Sequence, residues 1–226
     1  MIYLTGDIHA NFRDYRLELL SHLKEEDIVI FLGDFGFSWN NTITECFRDH
    51  FKFPCTVLFL SGNHENFDIL NTLPSKEMFG GEVGIFCEGV YHLKTGEVYT
   101  IDNKKFLVFG GALSIDKEHR ILGTSYWEEE IPSIEDFSRA LDNLKKNDYK
   151  VDYLLTHTYS NTVIKELFKF SKIFEDKTSS MIKVLEGEIK SPYINYFGHF
   201  HEHVEKDNHK CLYIEMKAIE LPEEIV

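Results

Sequence analysis

Asp7 and His9 in "GDIHAN", Asp34 in "GDFG", Asn63 and His64 in "GNHE", His157 in "LLTH", and His199 and His201 in "GHFH" each stand just beyond an apolar run. Carboxylate, carboxamide and imidazole together suit borderline or hard divalent ions such as Mn, Fe or Zn. No cysteine joins the set. The tract "INYFGHFHEHVEK" places His199, His201 and His203 on alternate positions, and His-rich tracts bind metal when other ligands converge on them.

For that convergence the elements must bring distant residues to one place. "MIYLTG" (1–6), "DIVIFLG" (27–33) and "TVLFLSG" (56–62) read as buried strands, with helical spacing in 11–23, around 42–51 and in 65–73. Asp7, Asp34 and Asn63 are separated by 27 and 29 residues, close to one strand–helix–strand unit of roughly 30 residues. Parallel strands joined in this way carry their C-terminal ends to one edge, where α/β sheets bind ligands. The glycines at 6, 33, 62 and 198 make tight strand exits. In extended chain, Asp7 with His9, and His199 with His201, would point to the same side.

The middle of the chain differs. "GVYHLKTGEVYTI" and "KKFLVFGGA" read as antiparallel strands turning at "KTG" and "DNK". The segment 113–132 is long and without periodicity, a feature more often functional than idle. Ser133, with Glu135 and Asp136 behind it and lysines further on, starts a helix over 133–147. Strands follow at 151–157 and 193–199, with helical segments filling 160–188 between them, and 210–221 ends the pattern as one strand or two.

A length of 226 residues with 43% hydrophobic and 14% aromatic content supports one sizeable core, so residues 1–226 are expected to form a single domain. No apolar run is long enough to span a membrane, and the first residues lack the pattern of a signal peptide. Cys46, Cys55, Cys87 and Cys211 are scattered without a C-x-x-C pair, which suits free thiols in a reducing, cytoplasmic setting. A net charge of −14 disfavours extended nucleic-acid binding, although bound divalent ions would make one region locally positive.

The ordered series "GDIHAN", "GDFG", "GNHE", "TH" and "GHFH" resembles the calcineurin-like metallophosphoesterases. "GNHENFDIL", "FGGALSIDKEHR", "SYWEEEIPS" and "VDYLLTHT" are similar to a compact bacterial and phage branch of that superfamily. The resemblance implies an α/β four-layer sandwich, two mixed β-sheets face to face flanked by helices. It implies two divalent metal ions, Mn first with Fe, Zn, Ni or Mg as alternatives. Asp7, His9 and His201 would hold one ion, Asn63, His157 and His199 the other, and Asp34 would bridge them. Hydroxide between the ions would attack phosphorus, while His64 would assist the leaving group.

The phosphoprotein phosphatases carry a "DRG" stretch after the second aspartate, where this chain has "GDFGFSWN". That departure leaves the partner of His64 open and removes an arginine clamp. Arg120, with Lys117, in "SIDKEHR" is the candidate replacement, so Asn63 and Arg120 are the substrate-binding candidates. A small phosphorylated or nucleotide substrate is the expectation. A phosphoprotein phosphatase, a nuclease, or a non-catalytic module using its metals structurally are the alternatives. Trp127 is expected to pack, "EEE" at 128–130 to be solvated, and His22, His50, His92, His119, His203 and His209 to lie at the surface.

Overall fold

The computed structural model describes residues 1–11, 22–40, 44–45, 48, 53–168 and 176–219. The helices expected over 11–23 and 42–51 fall mostly outside these residues, as do Cys46, His50 and the end of the last strand segment.

Strands β1 (Ile2–Thr5), β2 (Ile28–Phe31) and β3 (Thr56–Phe59) form a sheet with β4 (Ser75–Met78), β5 (Gly81–Cys87), β6 (Val90–Leu93) and β13 (Lys217–Ala218), in the order β13-β1-β2-β3-β6-β5-β4. β1, β2, β3 and β6 run parallel, with β13 and β5 antiparallel to their neighbours. The second sheet combines β7 (Val98–Ile101), β8 (Lys104–Phe109), β9 (Tyr153–Thr156), β10 (Ile194–Phe197), β11 (Val204–Lys206) and β12 (His209–Cys211), in the order β11-β12-β10-β9-β8-β7. Its four inner strands are parallel and its edges antiparallel.

The two sheets pack through alternate side chains. Ile30, Leu32 and Leu58 of one meet Val108, Tyr153 and Leu155 of the other in a buried central layer. Val29, Phe31 and Phe59 point the opposite way and pack with Phe35 and with Phe67 and Leu70 of the short helix α1 (Phe67–Leu70). Leu154 and Phe197 on the outer face of the second sheet are covered by α2 (Ile134–Lys146), α3 (Asn161–Phe168) and α4 (Lys177–Glu188). Burial on both faces explains the unbroken apolar runs in these strands. The α/β sandwich of two mixed sheets is therefore as the sequence implies.

Helix α2 begins at a capping box in which the Ser133 hydroxyl accepts from Asp136 N–H, while the Asp136 carboxylate accepts from Ser133 N–H. The β7–β8 hairpin turns at Asp102 and Asn103, both with positive φ (50° and 61°), at the expected "DNK". The "KTG" turn does not join a hairpin. β6 lies in the first sheet and β7 in the second, so Lys94–Gly96 carries the chain from one to the other. The β4–β5 hairpin is absent from the sequence reading, because its two-residue loop is Phe79-Gly80, with φ of 57° and 80°. Phenylalanine is not a residue that such a turn advertises.

The segment after β10 also divides between sheets. β12 pairs with β10, and the chain then crosses, with Leu212 N–H donating to Phe197 O and Gly6 N–H to Tyr213 O, before β13 pairs with β1. A Cβ on Gly6 would collide with the Leu212 carbonyl, so this crossing requires glycine. Residues 113–132 contain two single 3₁₀ turns, Lys117–His119 and Glu128–Glu130, and one isolated bridge between Leu122 and Tyr126. Trp127 is buried and donates its indole N–H to Asp68, so it packs as expected. Three surface expectations fail: His92 lies buried against Phe59, the His209 side chain is largely covered against Tyr159, and Glu130 is buried against Ser114. Among the described residues no helix is long and apolar enough to cross a membrane.

Candidate metal centre and active site

The parallel strands of both sheets end at a common rim. Asp7 follows β1, Asp34 follows β2, Asn63 and His64 follow β3, His157 follows β9, and His199 and His201 follow β10. The chain does not stay extended there. His9, Asp34, His199 and His201 carry φ of 46°, 48°, 72° and 53°, in the left-handed region that non-glycine residues rarely adopt. The expected alternation of Asp7 with His9, and of His199 with His201, is thus replaced by tight turns that aim each ring separately. Such strain persists only where surrounding bonds enforce it. Here Asp34 O accepts from His9 N–H (2.9 Å), and Asp7 accepts from His199 N–H (2.8 Å).

Asp7 and Asp34 are each about 1% exposed. His157, fully buried, sits between them, with Nδ1 3.4 Å from Asp7 Oδ1 and Nε2 3.3 Å from Asp34 Oδ1. Its Nδ1 is 2.7 Å from the Leu32 carbonyl, which can only accept, so the Nδ1 proton is fixed and Nε2 faces the rim. On the other side His9 Nε2 lies 2.9 Å from His201 Nε2 and 3.6 Å from Asp34 Oδ2. Two clusters of ligand atoms result, His9–Asp34–His201 and Asp7–Asp34–His157, and Asp34 is common to both. Asp7 thus groups with His157 rather than with His9 and His201 as the resemblance implies, although its Oδ2 is also 3.6 Å from His201 Nε2. Asn63 Oδ1 is 3.1 Å from His157 Nε2, and the His199 ring lies edge-on to His157 at 5.0 Å. All seven ligand candidates therefore meet at one place.

His64 stands beside them, 5.1 Å from the His9 ring, with its backbone N–H donated to Asp34 Oδ1. Arg120 comes from the irregular segment to His64, its guanidinium nitrogens 2.9 and 3.2 Å from the two ring nitrogens. The same guanidinium donates to Asp116 (2.8 Å) and to Ser125 O (3.3 Å).

A family model for calcineurin-like phosphoesterases matches residues 1–203. The chain belongs to this family. It is accordingly a metal-dependent phosphoric ester hydrolase. No curated protein matches it.

The electrostatics of this phosphoesterase rim follow from burial. Burial pushes Asp7 up to about 7, with Asp34's charge adding to the effect and His157 opposing it. For Asp34 burial acts the same way but is outweighed by His157, His64 and His9, which bring it below the usual carboxylate range. Burial alone would lower His157, yet Asp34 and Asp7 raise it to about 9. His64 falls to about 4 through burial, Arg120 and His9, against the pull of Asp34. Two close carboxylates and several inward rings thus demand positive charge between them.

Three supporting residues escaped the sequence reading. Glu65, fully buried, accepts from Phe35 N–H (2.7 Å), Gly36 N–H (3.2 Å) and the Ser38 hydroxyl (2.9 Å), pinning the loop that carries Asp34. Burial, then the Asp34 charge, push its pKa up to about 8 against those donors. Ser114 accepts from Asn63 Nδ2 (3.1 Å) and is held by Glu130, which orients the Asn63 carbonyl oxygen toward His157. The adjacency of Glu65 to "GNH" is the one hint in the sequence; Glu130 hides inside an acidic run. Gly33 and Gly62 complete the fit, because a Cβ on Gly33 would strike the His157 ring and one on Gly62 would strike Asp34.

Replacing Glu65 with alanine strands two buried N–H donors, each costing about 1–3 kcal/mol. Glu65→Ala is expected to lower unfolding free energy by roughly 2–5 kcal/mol and to reduce metal content. Urea unfolding and elemental analysis read the two effects. Unchanged metal content in a destabilised Glu65→Ala would separate Glu65 from the positioning of Asp34.

Proposed function

We propose that the rim binds two divalent ions, Mn in the first instance, and hydrolyses a small-molecule or nucleotide phosphodiester. The observation that carries this reading is Asp34, which faces His157 with one carboxylate oxygen and His9 with the other. The donor set fits such ions. Asp7, His9, His201 and Asp34 would hold one, and Asn63, His157, His199 and Asp34 the other. His157 Nε2 lies within 3.3 Å of two oxygen acceptors, Asn63 Oδ1 and Asp34 Oδ1, a position suited to a shared cation. When bound, the ions supply an acidified water as nucleophile and positive charge for the phosphoryl oxygens.

The protein's own groups do the rest. Leu32 O and Ser114 fix the directions of His157 and Asn63 before substrate arrives. With the ester bound, His64 would take up a solvent proton on a ring nitrogen that Arg120 releases and pass it to the departing oxygen. Burial and Arg120 keep it neutral in the resting site, and the negative charge of a bound ester raises its proton affinity. Arg120 holds the ring in place and is itself neutralised by Asp116.

The state of Arg120 also argues for diesters. A monoester dianion is best held by a free bidentate guanidinium, and Arg120 is already committed to His64, Asp116 and Ser125 O. A singly charged diester needs no such clamp. The −14 net charge supports a small substrate over extended nucleic acid. The free, buried thiols of Cys55 and Cys211 support a cytoplasmic setting.

His64→Ala is expected to keep its metals and lose turnover by roughly 10²–10⁴. The loss should be smaller for nitrophenyl esters, whose leaving groups need little protonation, than for alkyl esters. Equal losses would remove His64 from leaving-group protonation. Arg120→Ala is expected to leave diester hydrolysis ahead of monoester hydrolysis. A strong wild-type preference for monoesters that disappears in Arg120→Ala would instead make Arg120 the phosphate clamp.

A further inference from the structure

A cavity of about 460 Å³ opens beside the rim, bounded on its inner side by Asn63, His64 and His199. That volume is within the usual range for small-molecule pockets. Two of these, Asn63 and His199, are also ligand candidates, so the cavity adjoins the rim directly, while its other walls carry none of them. Leu113, Ile115, Ile164 and Phe200 supply apolar wall. Ile115 stands at the solvent edge with 67% of its surface exposed, and Ile121 and Leu122 further along the same segment are also exposed. Together these three leave apolar surface open along one segment, and Ile115 brings it to the cavity wall.

Charge narrows what the ligand can be. Arg120 is the lone arginine or lysine among the described lining residues, and it is paired with Asp116. The other carboxylate in the wall, Asp176, caps α4 by accepting from Thr178 N–H, Ser179 N–H and the Ser179 hydroxyl. The donors at that helix start are therefore occupied and form no second anion site. Among the described lining residues two carboxylates stand against one guanidinium, which disfavours a further phosphate or carboxylate in the part of the cavity away from the metal ions.

Resting on the diester reading above, we infer that this cavity receives one substituent of the substrate, an uncharged group with an apolar face, of aryl or nucleoside size. The substrate class is then a phosphodiester with a single charge at the reacting phosphorus and none on the substituent beside it.

Calorimetric titration of Mn-loaded protein tests this with three diester probes that differ in one substituent: dimethyl phosphate, methyl phenyl phosphate and methyl 4-carboxyphenyl phosphate. The phenyl ester is expected to bind about tenfold or more tighter than the dimethyl ester, within the range a hydrophobic pocket provides. The carboxylated ester should lose most of that gain. In Ile115→Asp, an exposed position that spares the core, the phenyl-to-methyl affinity ratio should fall at least about threefold. Equal affinities in the wild type, a ratio unchanged in Ile115→Asp, or tightest binding by the carboxylated ester would each overturn the inference. Turnover of bis(4-nitrophenyl) phosphate, followed in parallel, keeps the two claims apart. No turnover of that diester overturns the diester reading and this inference together, whereas turnover without phenyl discrimination overturns the inference alone.

Discussion

Asp7 and Asp34 are buried carboxylates close enough to share one imidazole, and the structure around them is arranged to make that tolerable. An ionised carboxylate removed from water costs several kcal/mol unless it is paired and hydrogen-bonded. His157 lies between them, its proton affinity raised by both, while the backbone N–H groups of His199 and His64 supply hydrogen bonds. Those donors come from both sheets. The same bonds that satisfy the carboxylates therefore lock the end of β10 against β1 and the end of β3 against β2. The left-handed turns at His9, Asp34, His199 and His201 are stable because they are held from several directions.

Behind this rim lies a second tier of buried polar groups that touch no ligand position of their own. Glu65 fixes the loop after Asp34, and Glu130 acts through Ser114 on Asn63. Each is a buried carboxylate stabilised by donors, so each ties the accuracy of the site to the packing of the fold. The segment 113–132 has two duties. Its buried part, with Trp127 and Glu130, anchors it, while its exposed part brings Arg120 to His64 and Ile115 to the neighbouring cavity. In the proposed reading, one stretch of chain without regular structure would serve both chemistry and selectivity.

The rim was legible in the sequence because parallel strands leave a simple signature: an apolar run, a glycine, then a polar ligand. Asp7, Asp34, Asn63 and His199 carry it in full, while His157 follows its apolar run through Thr156 in place of a glycine. The irregular segment was legible as functional by its length alone. Much else was hidden for physical reasons. The β4–β5 hairpin turns on Phe79, whose positive φ is imposed by pairing of the flanking strands. The switch of sheets at Lys94–Gly96 looks like any hairpin turn, since a turn residue does not record which sheet follows. Glu130 reads as a solvated charge beside Glu128 and Glu129, and only tertiary packing buries it. His92 likewise gives no sign in a polar-flanked strand that it will lie against Phe59.

The central claim is that one carboxylate, Asp34, serves two metal ions at a rim built from both sheets. Anomalous diffraction from crystals of the Mn-loaded protein tests it most directly. Two peaks about 3.5–4 Å apart, each in contact with the Asp34 carboxylate, are the predicted result. His9 and His201 should lie at one peak, with Asn63, His157 and His199 at the other. A single peak at full occupancy, or two peaks of which only one touches Asp34, would contradict the account.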